Sequence, residues 1–477
     1  MQGRRVHVRD AAASRFRAGI ATIVEDLGIT VEFPADVQAE ADAALAQVSL
    51  PERDHTDLPF VTIDPLGAKD LDQAMHLERR GDGFTVWYAI ADIGAFVRPG
   101  GAIDAEAHNR GETLFGPDRS ILLHPAVLSE GAASLLPDQL RPALVWRIDL
   151  DATGEGTHVE VHRAQVRSRA QYDYASVQQQ LDAGNEPEVF GLLREIGMLR
   201  QERERERGGV SLPLPEQEIV AEDGRWSLAY RAQSPVEDWN ARISLLTGMA
   251  AAELMMYAEV GVLRVLPPAE PRDLARLRRT AQALRIPWPQ VMDYPDFVRS
   301  LEPARPPHAA MLEACTRLLR GAGYVAFDGA VPPQPLHAAI AAPYAHCTAP
   351  MRRLVDRYVG EVCVALSEDE DVPDWVTQAL PELPKTMEAS DRRAHQFDRQ
   401  VLDLVEAGVL SGSIGQIFGG VVTETDDKDA RKGSVMVSDP AVDAPVESAT
   451  PLPLGDEVRV RLVAANLDSR TVRFDLA

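Results

Sequence analysis

Three aspartates fall within nine residues in the segment Thr62-Ile63-Asp64-Pro65-Leu66-Gly67-Ala68-Lys69-Asp70-Leu71-Asp72. Pro65 and Gly67 predict a turn directly after Asp64, which lets the chain fold back on itself. If residues 70–72 are extended, Asp70 and Asp72 point to one side and Leu71 to the other. Acids converging in this way repel one another unless a cation lies between them. Their hard oxygens suit Mg²⁺, which prefers a few carboxylates together with substrate phosphate. Such a site can hydrolyse a phosphodiester, because bound metal activates a water and stabilises the leaving oxygen. The same residues also suit an acidic surface turn. The spacing is not that of an EF-hand loop, which needs a central Gly and a closing Glu that are absent here.

A second cluster lies about 270 residues further on, in Tyr344-Ala-His346-Cys347-Thr348-Ala-Pro350-Met-Arg352-Arg353-Leu-Val-Asp356. Pro350 interrupts the preceding structure, and the arginines are expected to open a helix running to about Leu366. Guanidinium groups hold phosphate in a planar fork, and a helix N-terminus adds free N–H groups, so Arg352 and Arg353 form a candidate anion site. Pairing with Asp356 and Glu361 is the ordinary alternative. His346 reads as a structural histidine and Cys347 as packing.

These two clusters need a scaffold, and the chain is long enough to provide one. At ~150 residues per domain, 477 residues predict two to four domains. Residues 1–55 read as a small helical module of helix-turn-helix outline, with helices over Asp10–Leu27 and from about Pro34 to Val48. The first 20 residues hold five arginines against one acid, Asp10, which makes nucleic-acid contact one use for the module and a helical cap on the next domain the other. A polar linker spans Pro51–Pro59. Short β-like runs follow at Phe60–Ile63, Phe84–Ile90, Ala143–Leu150 and Val159–Val166, with a hairpin signal at Arg79-Arg80-Gly81-Asp82-Gly83. Beyond Tyr172 the chain reads as mostly helical, broken by proline-rich stretches at 267–271, 303–307 and 331–335. The Arg/Glu run Arg200–Arg207 is expected to be a solvated helix face. The last 65 or so residues alternate as five short strands, which predicts a small barrel of OB type. The expected fold class is thus α+β and multidomain: 1–55 a helical module, 56–408 a mixed α/β catalytic domain, 409–477 an OB-type barrel.

Composition narrows the function classes. There are 49 Lys+Arg against 73 Asp+Glu, a formal net charge of −24, which excludes a protein that holds nucleic acid by bulk positive charge. The three cysteines, Cys315, Cys347 and Cys363, form no CxxC pair, so neither a disulfide framework nor a zinc site is expected. The N-terminus MQGRRVHVRD has no apolar run behind it and is not expected to be a secretory signal. The most apolar stretch, Ser244–Leu266, carries Glu253, Glu259 and Arg264 and is expected to be a buried helix, not a membrane span. A cytoplasmic protein with no membrane association is the expectation.

Taken together, the motifs resemble the RNase II/RNase R (RNB domain) family of 3′→5′ exoribonucleases. The likeness runs from about Phe60 to the C-terminus. It includes Phe60-Val-Thr-Ile-Asp64 through Asp72-Gln73-Ala74, the strand Tyr88-Ala-Ile-Ala-Asp92-Ile-Gly-Ala-Phe96-Val, and Arg110-Gly111-Glu-Thr-Leu-Phe115-Gly-Pro-Asp118-Arg119. Leu128-Ser129-Glu130, Ser134-Leu-Leu-Pro137 and the late signature Tyr344–Asp356 follow in the family's order. The resemblance implies a Mg²⁺-dependent hydrolase, using one or two ions, that threads single-stranded RNA from its 3′ end and releases nucleoside 5′-monophosphates. Asp64, Asp70 and Asp72 fall on the family's metal-binding aspartates, and Arg352 on the arginine that braces the scissile phosphate, with Arg353 beside it. Phe115 falls where many members stack a tyrosine on the terminal nucleotide. Tyr172 resembles another channel aromatic, and Asp398 sits near a glutamate that helps hold the last base. The C-terminal barrel resembles an S1-type RNA-binding domain, with Phe418 as its exposed stacking residue and Phe474 in its core. The resemblance also implies a monomer.

The chain departs from the family pattern in three places. Gln73 stands where a fourth aspartate usually follows the third, Phe115 stands where many members have tyrosine, and the fifty residues before the likeness are expected to form the helical module, being too few for the family's usual pair of cold-shock barrels. The first departure keeps a second reading open, a catalytically weakened relative acting as an RNA-binding regulator. A metal-dependent phosphatase on small substrates is a third reading, and an appended RNA-binding barrel would have no use there.

Overall fold

A computed structural model describes residues 10–222 and 225–477. Arg4, Arg5 and Arg9 of the basic N-terminal stretch lie outside the described residues. At the centre is a six-stranded sheet. Its order is Gly156–Arg167, Leu140–Leu150, Gly83–Ala91, Gln73–Arg80, Val61–Asp64, Ala170–Asp173. Neighbours are antiparallel except the last pair, where Val61–Asp64 runs parallel to Ala170–Asp173.

The four expected β-runs all lie in this sheet. Two strands were not expected, Gln73–Arg80 and Ala170–Asp173. The first ends in the exposed Glu78-Arg79-Arg80, whose polarity reads as a turn. The true turn is the two residues Gly81-Asp82. Gly81 sits at φ 60, as a tight hairpin turn requires.

Two further corrections concern the later chain. Residues 216–231 form a hairpin, Glu216–Glu222 with Arg225–Arg231, inside the segment expected to be helical. The apolar stretch from Ser244 splits: helix Pro235–Tyr257 ends, Glu259 reverses the chain at φ 58, and Val260–Val265 is a strand paired with Gly323–Asp328. Among the described residues no helix is long and apolar enough to cross a membrane. The Arg/Glu run is only partly solvated. It lies on helix Glu188–Arg207, and its Arg200 is buried, donating to the Gly154 carbonyl at 2.7 Å.

The N-terminal module has two helices, Asp10–Asp26 and Ala35–Gln47. Phe16 of the first is fully buried. It stacks on Trp226 of the 216–231 hairpin with ring centroids 4.9 Å apart. It also lies against Gly408, where an added Cβ would come within 2.0 Å of the Phe16 ring. Gly408 belongs to the long helix Leu383–Leu410, which leads into the C-terminal barrel. The barrel is closed, in the order Ile417–Thr425, Lys432–Ser438, Ala441–Glu447, Thr471–Leu476, Glu457–Asn466. Its core residues Val435, Val442, Leu462 and Phe474 continue into Phe16, Ile20, Leu404 and Val405 as one apolar cluster. The barrel is therefore not packed as a body apart from residues before 409.

Candidate active site

Asp64 ends the strand Val61–Asp64, and the chain leaves the sheet at Pro65. Gly67 at φ 85 lets it reverse, and it re-enters the sheet at Gln73. Between these points the backbone is pinned from below. Leu71 is fully buried, and its N–H donates to Ser134 Oγ at 3.0 Å. Ser134 Oγ donates in turn to the Lys69 carbonyl at 2.6 Å. Leu135 N–H donates to the Leu71 carbonyl, and Ala91 N–H to that of Asp72, at 3.0 and 2.8 Å. The Ser134-Leu-Leu-Pro137 motif is thus a cradle for the aspartate loop. With Leu71 anchored inward, Asp72 is held at the loop's end with 3% of its surface exposed.

The late signature reaches the same place. Met351 N–H donates to Asp72 Oδ1 at 2.9 Å, and Arg352 Nε lies 3.3 Å from Asp72 Oδ2. The loop is itself tied down by Asp356. Its Oδ1 accepts from Ala349 N–H at 2.7 Å, and Arg353 grips both its oxygens at 2.8 and 2.9 Å. The expected helix is Leu354–Ser367, with Arg353 at its N-cap. The two arginines therefore part company. Arg353 is paired with Asp356, the ordinary alternative. Arg352 pairs with Asp72 and keeps a side chain that is 42% exposed. His346 is structural as expected: its Nδ1 is 2.8 Å from Tyr324 Oη, and burial pushes its pKa well down. Cys347 is buried.

Electrostatics mark the aspartate end as strained. Burial pushes the carboxyls of both Asp64 and Asp72 up to about 7, against the opposing pull of Arg352. Asp70 adds repulsion to both. Asp64 Oδ2 and Asp72 Oδ2 are buried and accept no hydrogen bond, the second having only the Arg352 guanidinium at ion-pair distance. Buried carboxylate oxygens without donors are costly unless something positive meets them. Among the described residues no preformed group of three or more metal-ligating side chains is present. The donor set nevertheless fits a hard divalent cation, with two donorless carboxylate oxygens and a third acid beside them.

The remaining predicted residues lie at varied distances from this centre. Gly111, at φ 74, ends helix Ala102–Arg110 and passes so close to Ser390 that an added Cβ would meet its Cβ at 2.4 Å. That turn sends Glu112 and Thr113 alongside the signature loop, with Thr113 N–H donating to the Arg352 carbonyl at 3.0 Å. Phe115 follows two residues later, 51% exposed. It lines an open cleft of about 440 Å³ with Asp398, Glu216, Glu218 and Arg231. The structure thus brings Phe115 and Asp398 together. Tyr172 is partly buried and packs edge-on against the buried Phe190, at 4.9 Å. Phe418 is partly buried on the barrel, edge-on to the core residue Phe474 at 5.9 Å.

Sequence reasoning missed Tyr174 and Tyr88. Tyr174 opens helix Tyr174–Ala183, and its hydroxyl accepts from Asn240 Nδ2 at 3.3 Å. Its phenol is pushed up by burial and by the nearby Asp64. The signal available was position: Tyr174 stands just beyond the strand that pairs Asp173 with Asp64. Tyr88 is fully buried on the central strand and hydrogen-bonds to Gln73.

The sheet, the pinned aspartate loop and the arginine loop together define an RNB domain, and comparison bears this out. The RNB domain matches residues 52–367, and the RNase II-type exonuclease C-terminal S1 domain matches residues 416–477. The chain belongs to the RNB family. It is similar to Ribonuclease R of Escherichia coli, 28% identical over 470 residues that cover 89% of this chain and 57% of that protein. Ribonuclease R of Aquifex aeolicus is 25% identical over 516 residues, covering 100% of this chain and 72% of that protein. The chain thus spans little more than half the length of its Escherichia coli relative. RNase R of Mycoplasma genitalium, solved with ribose-methylated single-stranded RNA, shares the fold at a TM-score of 0.86 and 20% identity, over 97% of this chain and 78% of that one. Yeast Ssd1, a pseudonuclease, shares it at a TM-score of 0.72 and 16% identity, over 93% of this chain and 57% of that one.

Proposed function

We propose that this protein is a metal-dependent 3′→5′ exoribonuclease that hydrolyses single-stranded RNA to nucleoside 5′-monophosphates. The observation that carries the reading is the pair of donorless buried oxygens on Asp64 and Asp72 facing the half-exposed guanidinium of Arg352. A negative cradle beside a half-exposed planar cation matches what phosphodiester cleavage needs: a place for metal and a grip on the scissile phosphate. Asp64, Asp70 and Asp72 would hold the ion, which we assign as Mg²⁺. When bound it supplies an activated water and stabilises charge on the leaving oxygen. Arg352 swings from Asp72 to a non-bridging phosphate oxygen and meets the charge that builds there. Phe115 stacks on the terminal base, which is sequence-tolerant because every base has a π-face. Asp398, across the same cleft, accepts from a base edge, and Phe418 offers a further stacking face on the barrel.

RNA is the partner in this reading, as the Mycoplasma genitalium protein was solved with single-stranded and with double-stranded RNA. We assign the protein to the cytoplasm as a monomer. The test is 5′-labelled poly(A) incubated with Mg²⁺ and, separately, with EDTA. A ladder descending only with Mg²⁺ is expected. Retarded but intact RNA would identify a weakened relative that only binds, and loss of the label alone would identify a phosphatase.

A further inference from the structure

The residue after Asp72 has both ends of its amide engaged. Gln73 Nε2 donates to the Thr348 carbonyl at 2.7 Å, and Gln73 Oε1 accepts from Tyr88 Oη at 2.5 Å. The assignment of the amide follows from the partners, since a backbone carbonyl can only accept. Tyr88 is fully buried, and burial pushes its phenol well above the ordinary range, so it remains a donor. Thr348 is 2% exposed, and its own hydroxyl is 2.7 Å from Ser244 Oγ on helix Pro235–Tyr257. A largely buried run of hydrogen bonds thus crosses from Tyr88 on the central sheet through the half-buried Gln73 to the Thr348 backbone of the arginine loop, whose side chain reaches on to that helix.

Its place in sequence gives it leverage. Gln73 adjoins Asp72. Thr348 lies three residues before Met351, whose N–H holds Asp72 Oδ1, and four before Arg352. The aspartate loop and the arginine loop come from opposite ends of the catalytic domain, and Gln73 bolts one to the other. A carboxylate could not do this, because it has no donor for the Thr348 carbonyl.

We infer that Gln73 is a positioning residue: a two-ended brace that sets the spacing of Asp72 and Arg352, with its amide oxygen turned to Tyr88 and not serving as a metal ligand. The inference rests on the nuclease reading for its kinetic consequence, but the brace itself can be read without catalysis.

The variants are Gln73→Leu, Tyr88→Phe and the double variant of the full chain. Single-turnover decay of labelled RNA, steady-state kcat and KM, Mn²⁺ titration calorimetry and hydrogen exchange of the 344–356 segment are measured on each. Gln73→Leu should lower the single-turnover rate and kcat at least about tenfold, as small misplacements of reacting groups do. KM and Mn²⁺ affinity should stay within about threefold of the parent. Tyr88→Phe removes the hydroxyl that donates to Gln73 Oε1 and leaves the amide itself in place, and should lower the same rate in the same direction. In the double variant the two losses should fail to add, as expected for one linked unit. Exchange at 348–352 should quicken in both single variants while the barrel is unchanged. A tenfold fall in Mn²⁺ affinity in Gln73→Leu would make Gln73 a ligand and overturn the brace, and so would a rate within threefold of the parent. Should Gln73→Leu not fold, Tyr88→Phe carries the rate and exchange readouts alone. If the parent protein degrades no RNA, the nuclease reading falls, and the brace then stands or falls on the exchange at 348–352.

Discussion

The aspartate–arginine centre and the C-terminal barrel are built on opposite lines. At the centre, buried polar groups do the holding: Ser134 under Leu71, Met351 on Asp72, Asp356 between Ala349 and Arg353, Gln73 between Tyr88 and Thr348. Two carboxylate oxygens remain buried without donors. In the barrel the core is apolar, and the side-chain bonds of its 426–431 turn are local, such as Asp426 to the Lys428 N–H and Asp429 to Arg431. Its surface is acidic, with 11 Asp+Glu against 7 Lys+Arg from 409 to 477. The difference teaches where each kind of damage should appear. A site held by buried, mutually dependent hydrogen bonds loses chemistry when one member changes. The barrel shares its apolar core with Phe16 and Leu404, so damage inside it should cost stability, while a change on its outer surface should cost only grip.

The largest expected effect is at Asp72. Asp72→Asn keeps the shape and removes one negative charge from the ion's cradle, so turnover should fall by about 10³ or more while RNA binding stays within about threefold. Single-turnover decay and filter binding test the two halves of this statement. More than about a tenth of the parental rate would show the carboxylates to be incidental.

Arg352→Lys should cost ~10²–10³ in kcat, because an ammonium cannot reproduce the planar grip of a guanidinium on phosphate. Its neighbour sharpens the contrast. Arg353→Lys would lose the two-bond hold on the fully buried Asp356. It should therefore lower stability by ~1–3 kcal/mol in urea denaturation, as the loss of a partner to a buried charged group does. Its kcat per folded molecule should change far less than that of Arg352→Lys. The reverse ranking of the two in kcat would show the roles to be exchanged.

This pair also shows how far the sequence could be read. Proline, glycine and the three-acid spacing announced the aspartate loop, and alternating strands announced the barrel. The motif order pointed to the RNB fold, and family membership followed. Which arginine pairs with Asp72 and which with Asp356 could not be read, because it depends on Asp356 folding back onto Ala349. Nor could the role of Gln73, whose partner Thr348 is 275 residues away. Phe16 gave only an amphipathic helix. That it would wedge between Trp226 and Gly408 is a fact of three distant segments meeting. The strand Gln73–Arg80 was hidden by its own polar end.

The pH dependence separates the two regions more gently. Asp64 and Asp72 have carboxyls raised to about 7, so the stability they contribute to the metal-free protein is present below the ordinary carboxylate range near 4 and is lost as pH rises through about 7. A divalent cation must displace those same protons. Mg²⁺ affinity should therefore rise between pH 6 and pH 8, by roughly tenfold for each of the two carboxyls that must ionise. The melting point gained on adding Mg²⁺ should grow in step. Calorimetric titration at the two pH values, with Asp72→Asn as the comparison, reads this directly. A flat profile would mean that the ion does not sit on these two groups.

The smallest effect belongs to the barrel, and it is best sought with a point variant. Removing everything after about residue 410 would strip the cover from Leu404, Val405 and Phe16, which share one apolar cluster with the barrel core. Such a truncation would confuse lost grip with lost folding. Phe418→Ala avoids this, because Phe418 is only partly buried and Phe474 remains to fill the barrel. Stacking of one base on one aromatic ring contributes ~1–3 kcal/mol. A partly buried ring should sit at the low end, so RNA affinity and KM should weaken by about fivefold. Because the ring stands on the barrel and not on the Asp72–Arg352 loops, kcat at saturating RNA should not move. A short RNA of three or four nucleotides, bound by the cleft around Phe115 alone, should show no difference between parent and variant. If kcat falls instead, or if the short RNA is affected as strongly as the long one, the barrel takes part in aligning the scissile bond and the division between chemistry and grip is wrong.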